Sequence, residues 1–162
     1  MLEGLGPVIA PDTRLVVLGS FPGVASLAAQ QYYGHPRNHF WPLLSALWGE
    51  DLVALDYPQR LAALKRHRVG LWDVYRRCER EGSLDSAIRR SVSNDLPSLK
   101  TLAPALRAVA HNGGESARSR RITGQLGLDV HVLPSTSPAN ASWSFDRKLQ
   151  AWRDAFSRYD LG

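Results

Sequence analysis

The chain contains a single cysteine, Cys78, among its 162 residues. One thiol excludes an internal disulfide, and it excludes zinc and iron–sulfur sites whose ligands are all cysteines. No apolar run approaches the roughly 20 residues that a membrane-spanning helix needs. The first residues also lack the basic segment and the apolar stretch of a secretory leader. We therefore expect a cytoplasmic protein with no membrane partner.

Several nucleotide-binding and hydrolase motifs are also missing. The segment "GSFPG" (19–23) lacks the Gly-Lys-Ser/Thr of a phosphate-binding loop, and no G-x-G-x-x-G occurs. No serine lies in the G-x-S-x-G elbow of hydrolases. Five histidines are present, but no pair has metal-ligand spacing with a third ligand nearby. The sequence therefore predicts no cofactor and no metal.

The composition is that of a globular protein with a basic surface. Hydrophobic residues make up 44% of the chain, and its length suits one domain, 1–162. The formal net charge is +5, and basic residues cluster at 65–68, 76–77, 89–90 and 118–121. Each cluster alone is explained by a solvated helix face. Four clusters together favour nucleic acid or phosphate as a partner.

Strand-like and helix-like segments alternate along the chain. Short apolar segments predict strands over 14–18, 69–75, 105–113 and from 129 to the break at Pro134. Helices are predicted over 39–49, 57–67, 94–103, 115–127 and 145–159. In the last helix the apolar residues form a single stripe behind Ser144, a good N-cap. This alternation predicts an α/β fold with a parallel sheet sandwiched between helices.

Three of the predicted strands end in unusual loops. These are "GSFPG" (19–23), "HNGGES" (111–116) and "PSTSPANAS" (134–142). Ligands in such folds bind beyond the carboxyl ends of the parallel strands, so the three loops would open on one edge of the sheet. Only one carboxylate, Glu115, lies in them, which argues against catalysis by paired carboxylates.

In that order, "GSFPG…QYYGHPRNHFW", "HNGGES" and "LPSTSPANAS" resemble the uracil-DNA glycosylase superfamily. The pattern is most similar to its hypoxanthine-DNA (deoxyinosine) glycosylase branch, near the mismatch-specific uracil-DNA glycosylases. The resemblance covers about residues 14–158. It implies a three-layer α/β/α sandwich around a four-stranded parallel sheet. It also implies that a target nucleotide swings out of DNA into a snug pocket.

The resemblance assigns the chemistry to two asparagines. Many superfamily members have Asp or Asn third in the first motif, where it positions the attacking water; here that residue is Phe21. Asn38 is the polar residue left to orient the water, and it is also a candidate N-cap of the next helix. Asn112 can pair its amide with the O6 and N1–H of hypoxanthine or the O4 and N3–H of uracil. Its alternative role is a turn-forming Asn-Gly pair.

The remaining implied site residues form a base pocket and a DNA-binding loop. Ser20 and Phe21 belong to a tight turn whose N–H groups would face the base. Tyr33 falls where mismatch-type relatives place the stacking aromatic, though it could be a core residue. Asp73 is either a second base contact or a helix cap. The loop that contacts the DNA backbone and minor groove would contain Ser135, Ser137 and Asn140.

Relatives often place a bulky apolar wedge in this last loop. Ala139 and Asn140 are poor wedges, so Trp143 or another loop would fill the gap left by the flipped base. His35 and His39 could touch phosphate, although capping or core roles fit them better. We expect His111 to be structural.

The sequence thus predicts a monofunctional DNA glycosylase that removes hypoxanthine and leaves an abasic site. No lysine lies in the three loops, which argues against a Schiff-base lyase. The expected partner is double- or single-stranded DNA carrying a deaminated base, bound by a monomer. The alternatives are a uracil glycosylase, a non-catalytic nucleic-acid-binding module, and an enzyme acting on free nucleosides.

Overall fold

The computed structural model describes all residues, Met1–Gly162. Its strands are β1 (Leu2–Glu3), β2 (Leu15–Gly19), β3 (Val69–Asp73), β4 (Tyr75–Glu79), β5 (Arg89–Ser93), β6 (Ala108–Asn112) and β7 (Asp129–Leu133). Its helices are α1 (Val24–Ala29), α2 (Phe40–Trp48), α3 (Tyr57–Arg66), α4 (Leu99–Leu102), α5 (Gly114–Ala117), α6 (Arg120–Gly124) and α7 (Phe145–Ser157). Single 3₁₀ turns occupy Asp85–Ala87 and Leu96–Ser98.

Four parallel strands form the central sheet in the order β3-β2-β6-β7. Every residue of β2, β3 and β6 is buried, which explains why these segments read as continuous apolar runs rather than alternating ones. The predicted sandwich of helices around a four-stranded parallel sheet is confirmed. The register pairs Gly19 at the end of β2 with Asp73 at the end of β3.

Successive residues of β2 point into two separate cores. Leu15 and Val17 pack with α2, α3 and α7 around Phe40 and Trp152, both fully buried. Val16 and Leu18 pack on the other face in a smaller cluster with Trp72, Leu96 and Leu128. This two-residue period separates the helix layers on the two faces of the sheet.

The C-terminal helix forms largely as predicted. Ser144 accepts a hydrogen bond from the Arg147 N–H at 3.2 Å, which caps α7. Trp152 and Phe156 on its apolar stripe are fully buried. The helix ends at Ser157, so Tyr159 is buried from the turn that follows.

A second, antiparallel sheet of order β1-β4-β5 lies outside the alternating pattern. The sequence analysis does not predict it, because most β5 residues are exposed and β4 alternates only weakly. β4 contains two arginines and a glutamate, and β5 contains two arginines and two serines, so no apolar face marks them as strands. The β4–β5 hairpin matters for function because its connection runs along the edge of the central sheet where the site lies.

Two predicted helices were wrong in detail. The segment 115–127 folds as α5 and α6 rather than as one helix. His111, fully buried behind it, bonds Ser116 Oγ at 2.8 Å and Thr123 Oγ1 at 2.9 Å, one residue from each helix. The predicted 94–103 helix is reduced to the 3₁₀ turn Leu96–Ser98 and α4, and Asn94 before it donates its amide to the Asp73 carbonyl at 2.8 Å.

Candidate functional site

A cleft of about 990 Å³ opens at the carboxyl edge of the central sheet. The three predicted loops line it, as does the segment that carries Tyr33 and Asn38. All nine residues predicted for the site lie along its walls: Ser20, Phe21, Tyr33, Asn38, Asp73, Asn112, Ser135, Ser137 and Asn140. The parallel topology therefore brings together side chains that are up to 120 positions apart in the sequence (from Ser20 to Asn140).

A fourth wall of the cleft comes from the β4–β5 connection, which the sequence analysis missed. Ser83 and Asp85 fix it to the first loop: Ser83 Oγ accepts from the Val24 N–H at 2.9 Å, and Ser20 Oγ donates to Asp85 Oδ1 at 2.6 Å. Arg80 donates to the Pro22 carbonyl at 2.6 Å. This connection adds Asp85 to the cleft as a carboxylate beside the predicted Asp73, outside the three predicted loops.

Tyr33 links the aromatic core to the cleft. Its ring stacks on Phe40, with ring centroids 4.1 Å apart, and its backbone takes a left-handed conformation with φ of 56°. The hydroxyl accepts a hydrogen bond from Asn112 Nδ2 at 3.2 Å. One side of the ring is therefore braced by the core, while the residue remains part of the cleft wall.

Asn112 ties three loops together through its amide. Its Oδ1 accepts from the Thr136 N–H at 3.0 Å, and its Nδ2 donates to Thr136 Oγ1 at 3.0 Å and to the Tyr33 hydroxyl. Both N–H bonds of Nδ2 are therefore used within the protein, while Oδ1 keeps one lone pair. A base that accepts from Nδ2 would replace the longer bond, the one to Tyr33. Thr136, which is buried, is a site residue that the sequence analysis missed.

The third loop holds its own shape through short polar contacts. Ser135 Oγ accepts from the Ser137 N–H at 3.1 Å, and its carbonyl accepts from Asn140 Nδ2 at 3.1 Å. Gly113 packs against this loop with φ of 96°, and a Cβ there would come within 2.9 Å of Ser135 Cβ. The loop is thus a preformed wall. Two of the residues predicted to contact DNA, Ser135 and Asn140, also stabilise its conformation.

Asn38 is not the N-cap of α2, which is His39, but its side chain makes a capping contact from the preceding position. Its Oδ1 accepts from the Phe40 N–H at 2.9 Å at the start of α2, and the side chain lines the cleft. His39 follows, and its N–H donates to the Thr136 carbonyl at 3.0 Å. The buried Lys148 Nζ lies 3.3 Å from His39 Nδ1. His35 accepts from the Arg37 N–H at 3.0 Å, so it has a local capping role.

Asp73 is a buried carboxyl at the end of β3. It is 4% exposed, and its Oδ2 has no hydrogen-bond partner. Burial, and secondarily the negative charge of Asp85, raises the pKa of Asp73 to about 7. No helix begins at Asp73, so its alternative role as a helix cap is wrong.

The sequence model of the Uracil DNA glycosylase superfamily matches residues 7–156, nearly the whole chain. The chain belongs to the uracil-DNA glycosylase superfamily. The resemblance to this superfamily is thus confirmed.

Two curated relatives in the superfamily are similar over almost their entire length. A Methanosarcina barkeri protein named "Hypoxanthine DNA glycosylase" is 42% identical over 96% of this chain and 98% of its own. A Methanosarcina acetivorans protein of the same name is 39% identical over 95% and 97%. A solution NMR structure of a Methanosarcina acetivorans protein, provisionally named a uracil DNA glycosylase, superposes with a TM-score of 0.88. It is 37% identical and covers 98% of both chains.

No group of three or more His, Cys, Asp or Glu side chains is placed to hold a metal ion. No helix is long and apolar enough to cross a membrane. Glu115, the carboxylate of the second loop, bonds the Tyr75 hydroxyl at 2.9 Å and Arg118 at 3.1 Å. Its contacts are therefore structural.

Gly19→Ala should disturb the wall of the cleft at the end of β2. A Cβ at Gly19 would overlap Asp73 Oδ1 and lie 3.3 Å from the Tyr33 hydroxyl, so both groups would have to move. We expect a loss of about 1–3 kcal/mol in the free energy of unfolding, measured by urea denaturation. Gly6→Ala, where a Cβ meets nothing within 4 Å, is the matched control. Equal effects of the two substitutions would contradict the close contact.

Proposed function

We propose that the protein is a monofunctional DNA glycosylase that removes hypoxanthine from deoxyinosine and leaves an abasic site. The observation that carries this proposal is the 42% identity, over nearly the full length, to a relative named for that activity. The cleft supports it, because the residues predicted for reading the base and for positioning the water line its walls together. Uracil remains the alternative base, since the amide of Asn112 matches both.

The proposed recognition of the base rests on the braced ring of Tyr33 and on Asn112. A flipped base would stack on the side of Tyr33 that faces the cleft, opposite its contact with Phe40. The free lone pair of Asn112 Oδ1 would accept the N1–H of hypoxanthine. Adenine has an acceptor at N1 instead. Its N1 would face Asn112 Oδ1, so both acceptors would be left without a donor. Ser20 and Phe21 would form the adjoining wall.

In the proposed reaction, Asn38 orients the attacking water. Its amide oxygen cannot take a proton from that water as a carboxylate would, so the rate must come mainly from positioning and from stabilising the departing base. No lysine lines the cleft, and Lys148 is buried behind the third loop. Hydrolysis by water, without a Schiff base, fits this arrangement.

The proposed DNA face comprises the third loop and the β4–β5 hairpin on either side of the cleft. The hairpin carries the exposed Arg76, Arg89 and Arg90. Two residues suit the wedge: Trp143, whose ring lies 4.2 Å from the Arg147 guanidinium, and Leu84, 57% exposed on the opposite wall. We further propose that the protein acts as a monomer in the cytoplasm, at the nucleoid when bound to DNA.

Binding to duplex DNA should weaken steeply as salt rises. For three or four phosphate contacts, affinity for a deoxyinosine duplex should fall about 10²-fold between roughly 50 and 200 mM salt. Fluorescence anisotropy measures this, with cleavage of the free nucleoside assayed in parallel. An affinity that does not depend on salt, together with efficient hydrolysis of free deoxyinosine, would replace the proposal with an enzyme of nucleoside metabolism.

A further inference from the structure

Asp73 is a buried carboxyl group in the wall of the cleft, and it forms no ion pair. Its Oδ2 is buried without a hydrogen-bond partner. The side chain lies beside Gly19, in the space where a larger residue at position 19 would place its Cβ. Glycine at that position therefore makes room for the carboxyl group at the floor of the cleft.

The surroundings of Asp73 favour its neutral form. The titratable and charged groups that face it are Asp85, Arg80, Tyr33 and Tyr32. Burial and then Asp85 raise the pKa of Asp73 to about 7, and Arg80 lowers it by less. A buried carboxyl group with such a pKa carries a proton near neutral pH, and it can donate that proton as well as accept one.

We propose that Asp73 acts as a neutral carboxylic acid that donates its proton to N7 of the flipped purine while the glycosidic bond breaks. This inference rests on the proposed function, because it needs a purine nucleotide in the cleft. Asp73 and Asn112 end strands on opposite sides of β2. A base held by Asn112 at its N1–H edge would therefore meet a second polar group on another of its edges.

The proton transfer balances within a simple hydrolysis. The bond between C1′ and N9 breaks, and its electron pair passes into the purine ring as N7 takes the proton of Asp73. The water held by Asn38 bonds to C1′ and releases a proton, which returns through solvent to the Asp73 carboxylate. The products are neutral hypoxanthine and an abasic sugar with a C1′ hydroxyl.

Such a donor would select purines over uracil. Hypoxanthine has an acceptor at N7, whereas uracil has only C–H groups on its side opposite N3. The amide of Asn112 fits both bases, so it cannot make this distinction. A donor at Asp73 stabilises the transition state of the purine alone, and the preference follows from a difference between transition states.

The test is the pH dependence of single-turnover deoxyinosine cleavage by the wild type and Asp73→Asn. Because the protonated form is active, the wild-type rate should be constant at low pH and fall about tenfold per pH unit above about 7. Asp73→Asn keeps a hydrogen-bond donor but cannot transfer a proton. Its rate at pH 6 should be lower by about 10²-fold, with no fall between pH 6 and 9. The same fall in both proteins, or an unchanged rate in the variant, would overturn the proposal.

A second variant and a modified substrate separate this role from a merely structural one. Asp85→Asn removes the neighbouring negative charge, so the fall in rate should move to lower pH. A duplex with 7-deaza-2′-deoxyinosine lacks N7, and the wild type should cleave it at least 10²-fold more slowly than deoxyinosine. Undiminished cleavage of that duplex would contradict proton donation to N7. A wild type that cleaves neither duplex would instead contradict the proposed function itself.

Discussion

Asn38→Ala should lower the single-turnover rate of deoxyinosine cleavage by about 10²-fold or more, because the amide oxygen would no longer orient the attacking water. The measurement is release of hypoxanthine from a labelled duplex at saturating enzyme. Affinity for the same duplex should change little, since the side chain would act on the water and not on the DNA backbone. The loss would therefore appear in the cleavage rate and not in binding.

The capping contact of Asn38 calls for its own control. Loss of the bond from the Phe40 N–H should cost about 1 kcal/mol in the free energy of unfolding. Asn38→Ser keeps a capping oxygen but is too short to place the water in the same way. We expect Asn38→Ser to unfold like the wild type and to cleave like Asn38→Ala. A serine variant as active as the wild type would leave Asn38 a helix cap.

Asn112→Ala is expected to have the second large effect, on both recognition and stability. It leaves the buried Thr136 N–H without an acceptor, which should cost about 1–3 kcal/mol in the free energy of unfolding. It also removes the group that would pair with the N1–H of hypoxanthine. Cleavage should fall by about 10²-fold or more, while affinity for undamaged DNA should stay within about threefold.

Thr136→Val separates these two effects. It removes only the hydroxyl that accepts from Asn112 Nδ2, and it keeps the backbone bond to Asn112 Oδ1. We expect a loss of about 1 kcal/mol in stability but a smaller loss of cleavage than in Asn112→Ala. If Asn112→Ala weakened binding to undamaged DNA as strongly as it weakened cleavage, its role in reading the base would be contradicted.

The central sheet could be predicted from sequence because three of its four strands, β2, β3 and β6, are buried on both faces. Segments such as 14–18 therefore read as short apolar runs between polar helices. The position of the cleft could be predicted from the topology. Parallel strands bring the loops "GSFPG", "HNGGES" and "PSTSPANAS" to one edge of the sheet, and this does not depend on how the side chains pack. The β4–β5 hairpin was missed because it is mostly exposed and rich in arginine, so no periodicity marks it.

The hydrogen bonds and the protonation of the site residues could not be predicted from the sequence. Thr136 reads as one more polar residue of a serine-rich loop, and only the fold shows that its backbone and hydroxyl hold both ends of the Asn112 amide. Asp73 reads as a strand-end carboxylate. Its proton affinity depends on burial and on Asp85, which is 12 residues away in sequence and belongs to an element that was not predicted.

The most direct test of the account is single-turnover cleavage of duplexes that differ in one base: deoxyinosine, deoxyuridine, deoxyxanthosine or no lesion. Alkali would reveal abasic sites, and Asn38→Ala would be assayed beside the wild type. The account predicts fastest cleavage at deoxyinosine and a loss of about 10²-fold or more in the variant. Fastest cleavage at uracil would contradict the proposed substrate, and no cleavage of any duplex would contradict the assignment of the cleft as a glycosylase site.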